Sequence, residues 1–175
     1  MMTSWWMRRN EQVVRWAAVD DSPDLADVHV ASWQKAYAGI FPETYLNGLD
    51  REARARWWRR HIGEGTRVLV SESERVVGFC TFGSADDEGW GEIFAIYVHP
   101  DHWDEGHGRE LLEAGEAALR EDHDRALLWV LEANERGIRF YERQGWGVGK
   151  PVRLEEIGGV QVTELRYEKS LKVPS

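Results

Sequence analysis

The segment Tyr97-Val98-His99-Pro100-Asp101-His102-Trp103-Asp104-Glu105-Gly106-His107-Gly108-Arg109 joins an apolar run to a helical pattern through two closely spaced glycines. The first N–H groups of a helix have no partner inside it and carry partial positive charge. Glycines let an anion approach that backbone closely. Such a loop suits a phosphate, most naturally a pyrophosphate, although Gly-x-Gly on its own is also a common tight turn. The Gly-Lys-Ser/Thr ending of a P-loop is missing, and so is the third glycine of a dinucleotide fingerprint. His99, His102 and His107 lie among Asp101, Asp104 and Glu105, donor types that suit a metal. The phosphate reading already uses this loop, and no Cys-x-x-Cys or His-Glu-x-x-His supports a metal, so none is expected. Cys80 is the one cysteine, so no internal disulfide forms. Its apolar setting in VVGFCTFG predicts a small buried hydrophobe.

The elements that must position this loop follow from periodicity and punctuation. QVVRWAA (12–18) reads as a strand. A helix follows, capped by Asp21 or Ser22 with Pro23 in its first turn and Gly39 beyond its end. FPETYLNGL reads as a short helix, and Asp50 caps a further one through DREARARWWRRHI. RVLVSE, RVVGFCTFG and GWGEIFAIYVHP are strands. GRELLEAGEAALRED is a helix with Leu111, Leu112, Ala114, Ala118 and Leu119 on its apolar side. ALLWVLEA is a buried strand, NERGIRFYERQG a helix capped by Asn134, and VGKPVRLEEI and VQVTELRYEK a hairpin turning at Gly158-Gly159. This order predicts an α/β fold, with a mixed central sheet of about seven strands flanked by helices. Residues 12–172 form one domain, and residues 1–11 an extension whose Trp5 and Trp6 pack on the domain or on a second subunit.

Composition narrows the function classes. The 175 residues carry a net charge of −9, the reverse of a duplex nucleic-acid binder. Trp57-Trp58-Arg59-Arg60 reads better as a helix with one Trp inward and solvated arginines than as a stacking surface for nucleic acid. No apolar run reaches the roughly 18 residues of a membrane helix, and the N-terminus lacks a secretory pattern. A cytoplasmic location, with no membrane or nucleic-acid partner, is expected.

Two stretches carry a resemblance. Val98-x-Pro100-x-x-Trp103-x-x-Gly106-x-Gly108-x-x-Leu111-Leu112 resembles the acyl-CoA loop of the GNAT superfamily of N-acetyltransferases. Asn134, Phe140-Tyr141 and Gly145-Trp146 are similar to its closing motif, and ASWQKAYAGIFPETYL to one subgroup's N-terminal region. The resemblance spans about residues 12–170. It implies a mostly antiparallel GNAT-like sheet and acetyl-CoA as co-substrate, held by Ile96, Tyr97, Val98, Trp103, Asp104, Glu105, Gly106, His107, Gly108, Arg109 and Asn134. It implies an acceptor pocket shaped by Trp33, Tyr37 and Phe41, residues that could equally pack in the core. A homodimer is also implied as a possible state. The loop departs from the family pattern: Trp103 replaces Arg or Gln, and Asp104 and Glu105 replace small or basic residues. These acids should weaken CoA binding unless they point outward. Gly137 replaces the usual Ala, at a cost of about 1 kcal/mol in helix stability.

The implied reaction poses three problems. A lysine-like amine with pKa about 10.4 costs roughly 4.6 kcal/mol to deprotonate at pH 7, so a general base is useful. Glu92 is the candidate, placed by strand alternation beside Phe94 and Ile96. The oxyanion needs a fixed N–H, assigned to Val98 with Tyr97 alongside; a bulge would free it from the sheet. The leaving thiolate needs a hydrogen bond, assigned to Tyr141. The expected function is acetyl transfer from acetyl-CoA to a primary amine of a small molecule or peptide, by direct attack in a ternary complex. The alternatives are a non-catalytic acyl-CoA sensor and a protein N-terminal or lysine acetyltransferase.

Overall fold

The computed structural model describes residues 12–172. Trp5, Trp6 and the rest of the expected extension lie outside the described residues. The elements are β1 (Val13–Trp16), α1 (Ser22–Ala36), α2 (Glu43–Asn47), α3 (Arg51–Gly63), β2 (Val68–Glu72), β3 (Val76–Ser84), β4 (Gly91–Val98), α4 (His107–Leu119), β5 (Arg125–Leu131), α5 (Glu135–Arg143), β6 (Gly147–Ile157) and β7 (Val160–Ser170). They build a seven-stranded sheet in the order β1-β2-β3-β4-β5-β7-β6. Every neighbouring pair is antiparallel except β4 and β5, whose crossover runs through α4. None of the described helices is long and apolar enough to cross a membrane.

The sheet is covered on both faces, which is why β3 reads as a continuous apolar run rather than an alternating one. On one face α4 packs Leu111, Leu112 and Leu119 against Cys80, Phe82, Ile93 and Leu128. On the other, α1 and α3 pack Leu25, Val28 and Trp58 against Val70 and Phe79. Cys80 is fully buried, and burial pushes its thiol pKa up, so it packs as a hydrophobe. The expected caps differ in detail. Asp50 accepts from the N–H groups of Glu52 and Ala53 at the start of α3. Asp21 stands at the α1 cap position, but its carboxylate binds Arg15 and the Ala18 N–H instead of a helix N–H. Arg15, paired to both Asp21 and Glu72, thereby ties β1 to the entrance of α1.

Candidate active site

The site begins where the central sheet comes apart. The β3–β4 register jumps at Phe94: Thr81 faces Ala95, but Phe82 faces Ile93. The extra residue is a β-bulge, and bulges bend a strand and end its pairing on one side. Pairing with β5 covers only Gly91–Ala126, Glu92–Leu127 and Ile93–Leu128, then stops at the bulge. Beyond it β4 keeps β3 on one edge and diverges from β5 on the other. The His99 N–H donates to Val77 O at 2.7 Å. Antiparallel alternation then turns the main-chain groups of Ile96 and Val98 away from β3, toward the gap. The Val98 carbonyl is taken, accepting from Ser32 Oγ at 2.9 Å and Trp103 Nε1 at 2.8 Å. Its N–H faces the gap. That of Tyr97 belongs to the β3 side, because neighbouring residues alternate.

The gap opens into a cavity of about 600 Å³ that runs from the glycine loop to the β6–β7 hairpin. At its loop end Gly106 takes φ 98°, the left-handed region that favours glycine, and occupies the cap position of α4 with no side-chain cap. The first N–H groups of α4 are thus left to an outside partner. All seven residues from Trp103 to Arg109 line the cavity. The two unexpected acids are paired within the protein. Asp104 binds Arg136 at 3.0 Å, and Glu105 binds His102 at 3.0 Å.

Arg136 is a site residue that the sequence reading missed. Its guanidinium sits 4.3 Å from the Trp103 ring centroid and lines the cavity. A cation absent from the first loop position is supplied by α5 instead, stacked on the Trp that replaces it. Its position two residues after Asn134 was the available signal. Asn134 accepts from the Gly137 N–H at 3.0 Å and caps α5. A Cβ at Gly137 would lie 2.6 Å from the Asn134 amide, so the glycine makes room for the capping side chain.

Tyr141 lines the middle of the cavity against Phe140 and Trp146. Burial raises its hydroxyl pKa, so the proton stays on.

The far end is aromatic and bears one acid. Trp33, Tyr37 and Tyr97 form its wall, with the two tyrosine hydroxyls 3.3 Å apart. Burial pushes both tyrosine pKa values up, so both are neutral donors. Phe41 belongs elsewhere. It stacks behind Trp33 and packs edge-on to Tyr37, inside the core and off the cavity lining. Glu164 on β7 lines this end, its side chain 13 % exposed and held by Arg153 at 2.5 Å. Arg153 in turn covers the Trp129 ring at 4.3 Å. The sequence reading missed Glu164 because only the β5–β7 pairing brings it to the site.

Glu92 also departs from its expected setting. The bulge resets the alternation, and Phe94 turns outward, 53 % exposed. Glu92 lies one residue short of the cavity lining, half-buried. Its pKa is raised, first by burial and then by Asp86 and Asp87, against the pull of Arg153 and Arg166.

An opened parallel pair, a glycine loop at a helix start and a buried tyrosine between them form one arrangement. The Acetyltransferase (GNAT) family matches residues 30–146. The chain belongs to the GNAT family. It is an acyl-CoA-dependent N-acetyltransferase, moving an acetyl group from acetyl-CoA to an amine. It is 35 % identical to the N-acetyltransferase YuaI of Bacillus subtilis over 87 % of this chain and 89 % of that protein. It is 40 % identical to the L-amino acid N-acyltransferase MnaT of Escherichia coli over 77 % of this chain and 79 % of that one. The yncA protein of Salmonella typhimurium, solved with its cofactor acetyl-CoA, superposes with a TM-score of 0.70 at 22 % identity, covering 94 % of this chain and 96 % of its own. The GNAT chain thus shares that fold, with the first helix N–H groups of α4 free at the loop end of its cavity.

Proposed function

We propose that this acetyltransferase modifies a primary amine of a small molecule or peptide by direct attack on acetyl-CoA in a ternary complex, in the cytoplasm and without nucleic acid or membrane. The observation that carries this reading is the single cavity that joins a backbone anion cradle to an aromatic end bearing Glu164. The N–H groups of residues 105–109 hold the diphosphate, with Arg136 and Arg109 beside them. Asn134 contacts the pantetheine arm. Glu164 attracts the acceptor ammonium, and Trp33 and Tyr37 enclose its stem. Glu92 takes the proton through water, because its carboxyl titrates above the ordinary carboxylate range. The Val98 N–H stabilises the oxyanion.

Tyr141 then hydrogen-bonds the departing thiolate. Transfer of its proton to a thiolate whose conjugate thiol has a pKa of about 8.5 is already uphill from a tyrosine of about 10. Burial makes it more so, and the role left is stabilisation.

The test is free-thiol release from acetyl-CoA over a panel of amines, with both substrates varied. Intersecting double-reciprocal lines with a primary amine are expected. Parallel lines would replace the ternary complex with an acyl-enzyme, and no release with any amine would reject the reading.

A further inference from the structure

We propose that His102, Glu105 and His107 form a binding site for one divalent transition-metal ion of the zinc class, beneath the diphosphate loop. The sequence argued against a metal because the phosphate reading already used this loop and no Cys-x-x-Cys or His-Glu-x-x-His supported one. The fold does. One ligand atom from each of the three lies within 4.8 Å of the others. His102 Nδ1 is 3.0 Å and His107 Nε2 3.5 Å from the same Glu105 oxygen, Oε2. A tetrahedral centre with bonds of about 2.0–2.2 Å spaces its ligand atoms roughly 3.3–3.6 Å apart. The two spacings to Glu105 are within tenths of an ångström of that value, and the two imidazoles, within 4.8 Å of each other, close the rest by rotation of the partly exposed His102 side chain, a movement of about 1 Å. The set of two imidazoles and one carboxylate suits zinc and its neighbours, not magnesium or calcium.

The surroundings fit a ligand set. The His107 side chain is 1 % exposed, and its other nitrogen, Nδ1, lies 2.7 Å from Ser71 Oγ on β2. When Nδ1–H donates to that hydroxyl, the lone pair of Nε2 faces Glu105 and His102. A metal-bound histidine is usually oriented in this way. The Gln12 amide nitrogen, which donates to the Glu105 carbonyl at 2.8 Å, sits 3.3 Å from His107 Nε2 and turns aside when an ion takes that lone pair. The ligands come from three successive pieces of chain: the 3-10 turn Pro100–His102, the loop, and the first residue of α4. An ion there ties all three to the sheet through Ser71. It also places positive charge under the loop that carries the carboxylates Asp104 and Glu105. Metal and coenzyme A should then strengthen each other's binding, by the same factor in either order. Only this coupling rests on the donor reading.

The test is calorimetric titration of Zn2+, with Mg2+ as control, into the tag-free chain stripped by chelator. One Zn2+ per chain and no Mg2+ binding are expected. His102→Asn should weaken Zn2+ by at least about tenfold, and so should Ser71→Ala, which keeps all three ligands. The metal-free melting temperature of His102→Asn should stay near that of the wild type, whereas Ser71→Ala, which leaves the buried His107 Nδ1 unpaired, should melt a few degrees lower. A tetrahedral visible spectrum with Co2+, lost in His102→Asn, gives an independent readout. Absence of saturable Zn2+ binding would overturn the site. So would binding that neither variant weakens, which would mark adventitious surface histidines. If Zn2+ binds as described but coenzyme A leaves its affinity unchanged, the link to the donor loop is wrong while the site itself stands.

Discussion

At the loop end of the cavity the proposed recognising groups are main-chain N–H groups of residues 105–109, and side chains mainly hold the loop in shape. At the proposed acceptor end the recognising groups are side chains gathered from α1 and its C-cap, β4, β5 and β7: Trp33, Tyr37, Tyr97, Trp129 and Glu164. A backbone cradle fits any diphosphate carrier and tolerates odd side chains, including the acids at 104 and 105. A side-chain pocket fits one class of acceptor and changes with each substitution. The donor is therefore a property of the family fold, and the acceptor a property of this chain.

The largest effects belong to the chemistry where the two ends meet. Glu92→Gln should lower kcat/KM by about a hundredfold and change its pH profile. Burial raises the Glu92 pKa, so the carboxyl is protonated and idle at low pH. The wild-type rate should climb with pH through a step lying above the ordinary carboxylate range. The glutamine variant should lack that step. A retained step would move the base elsewhere, with Glu164 the first alternative. Tyr141→Phe should cost about a hundredfold in kcat, the scale of losing one preorganised donor. It should not alter the low-pH step. A change below threefold would make the ring a packing residue.

Glu164→Gln separates the two ends. Losing a charge-assisted contact to an ammonium costs about 1.5–3 kcal/mol, so the acceptor KM should rise roughly thirtyfold. The affinity for coenzyme A should not move. If both fell together, Glu164 would be holding the hairpin through Arg153 and not recognising substrate. Gly106→Ala is the mirror experiment. A side chain at φ 98° strains the loop by about 1–2 kcal/mol. Coenzyme A binding, followed by calorimetry, should weaken about tenfold while the acceptor KM stays constant.

The same contrast explains what was legible in the sequence. The seven strands, the helix caps at Asp50 and Asn134, and the Gly106–Gly108 loop are signalled by neighbours within a few residues. So is the burial of Cys80. Glu164 carries no local signal, since it is one acid among several on the strand 160–170. It reaches the cavity only because β7 inserts between β5 and β6. The bulge at Phe94 is equally silent, and it breaks the alternation that would have set Glu92 on one face with Ile96. Phe41 was read as pocket-forming because aromatic spacing does not tell a wall from the packing behind it. Arg136 shows a contact shared between distant positions. Where the loop has Trp103, α5 supplies a guanidinium stacked on that ring.

Asp104→Asn is the finest probe, because it changes one charge at the backbone end and nothing else. Asp104 sits at φ 65°, a left-handed position that Asn tolerates as well as Asp. Its side chain is 80 % exposed, so its pairing with Arg136 contributes little to stability. Removing the carboxylate has two consequences of the same sign. It lifts a repulsion with the diphosphate, which at ~6 Å in water is about 0.7 kcal/mol per charge pair. It also frees the Arg136 guanidinium, still stacked on Trp103, to face the phosphates. Coenzyme A should bind about threefold more tightly at low salt, with the acceptor KM unchanged. The gain should disappear near 1 M salt, where the screening length is about 3 Å. A gain that survives high salt would mean that the loop changed shape. A loss of affinity would mean that Asp104 positions Arg136 for the phosphates, and the donor end would then depend on side chains as much as the acceptor end does.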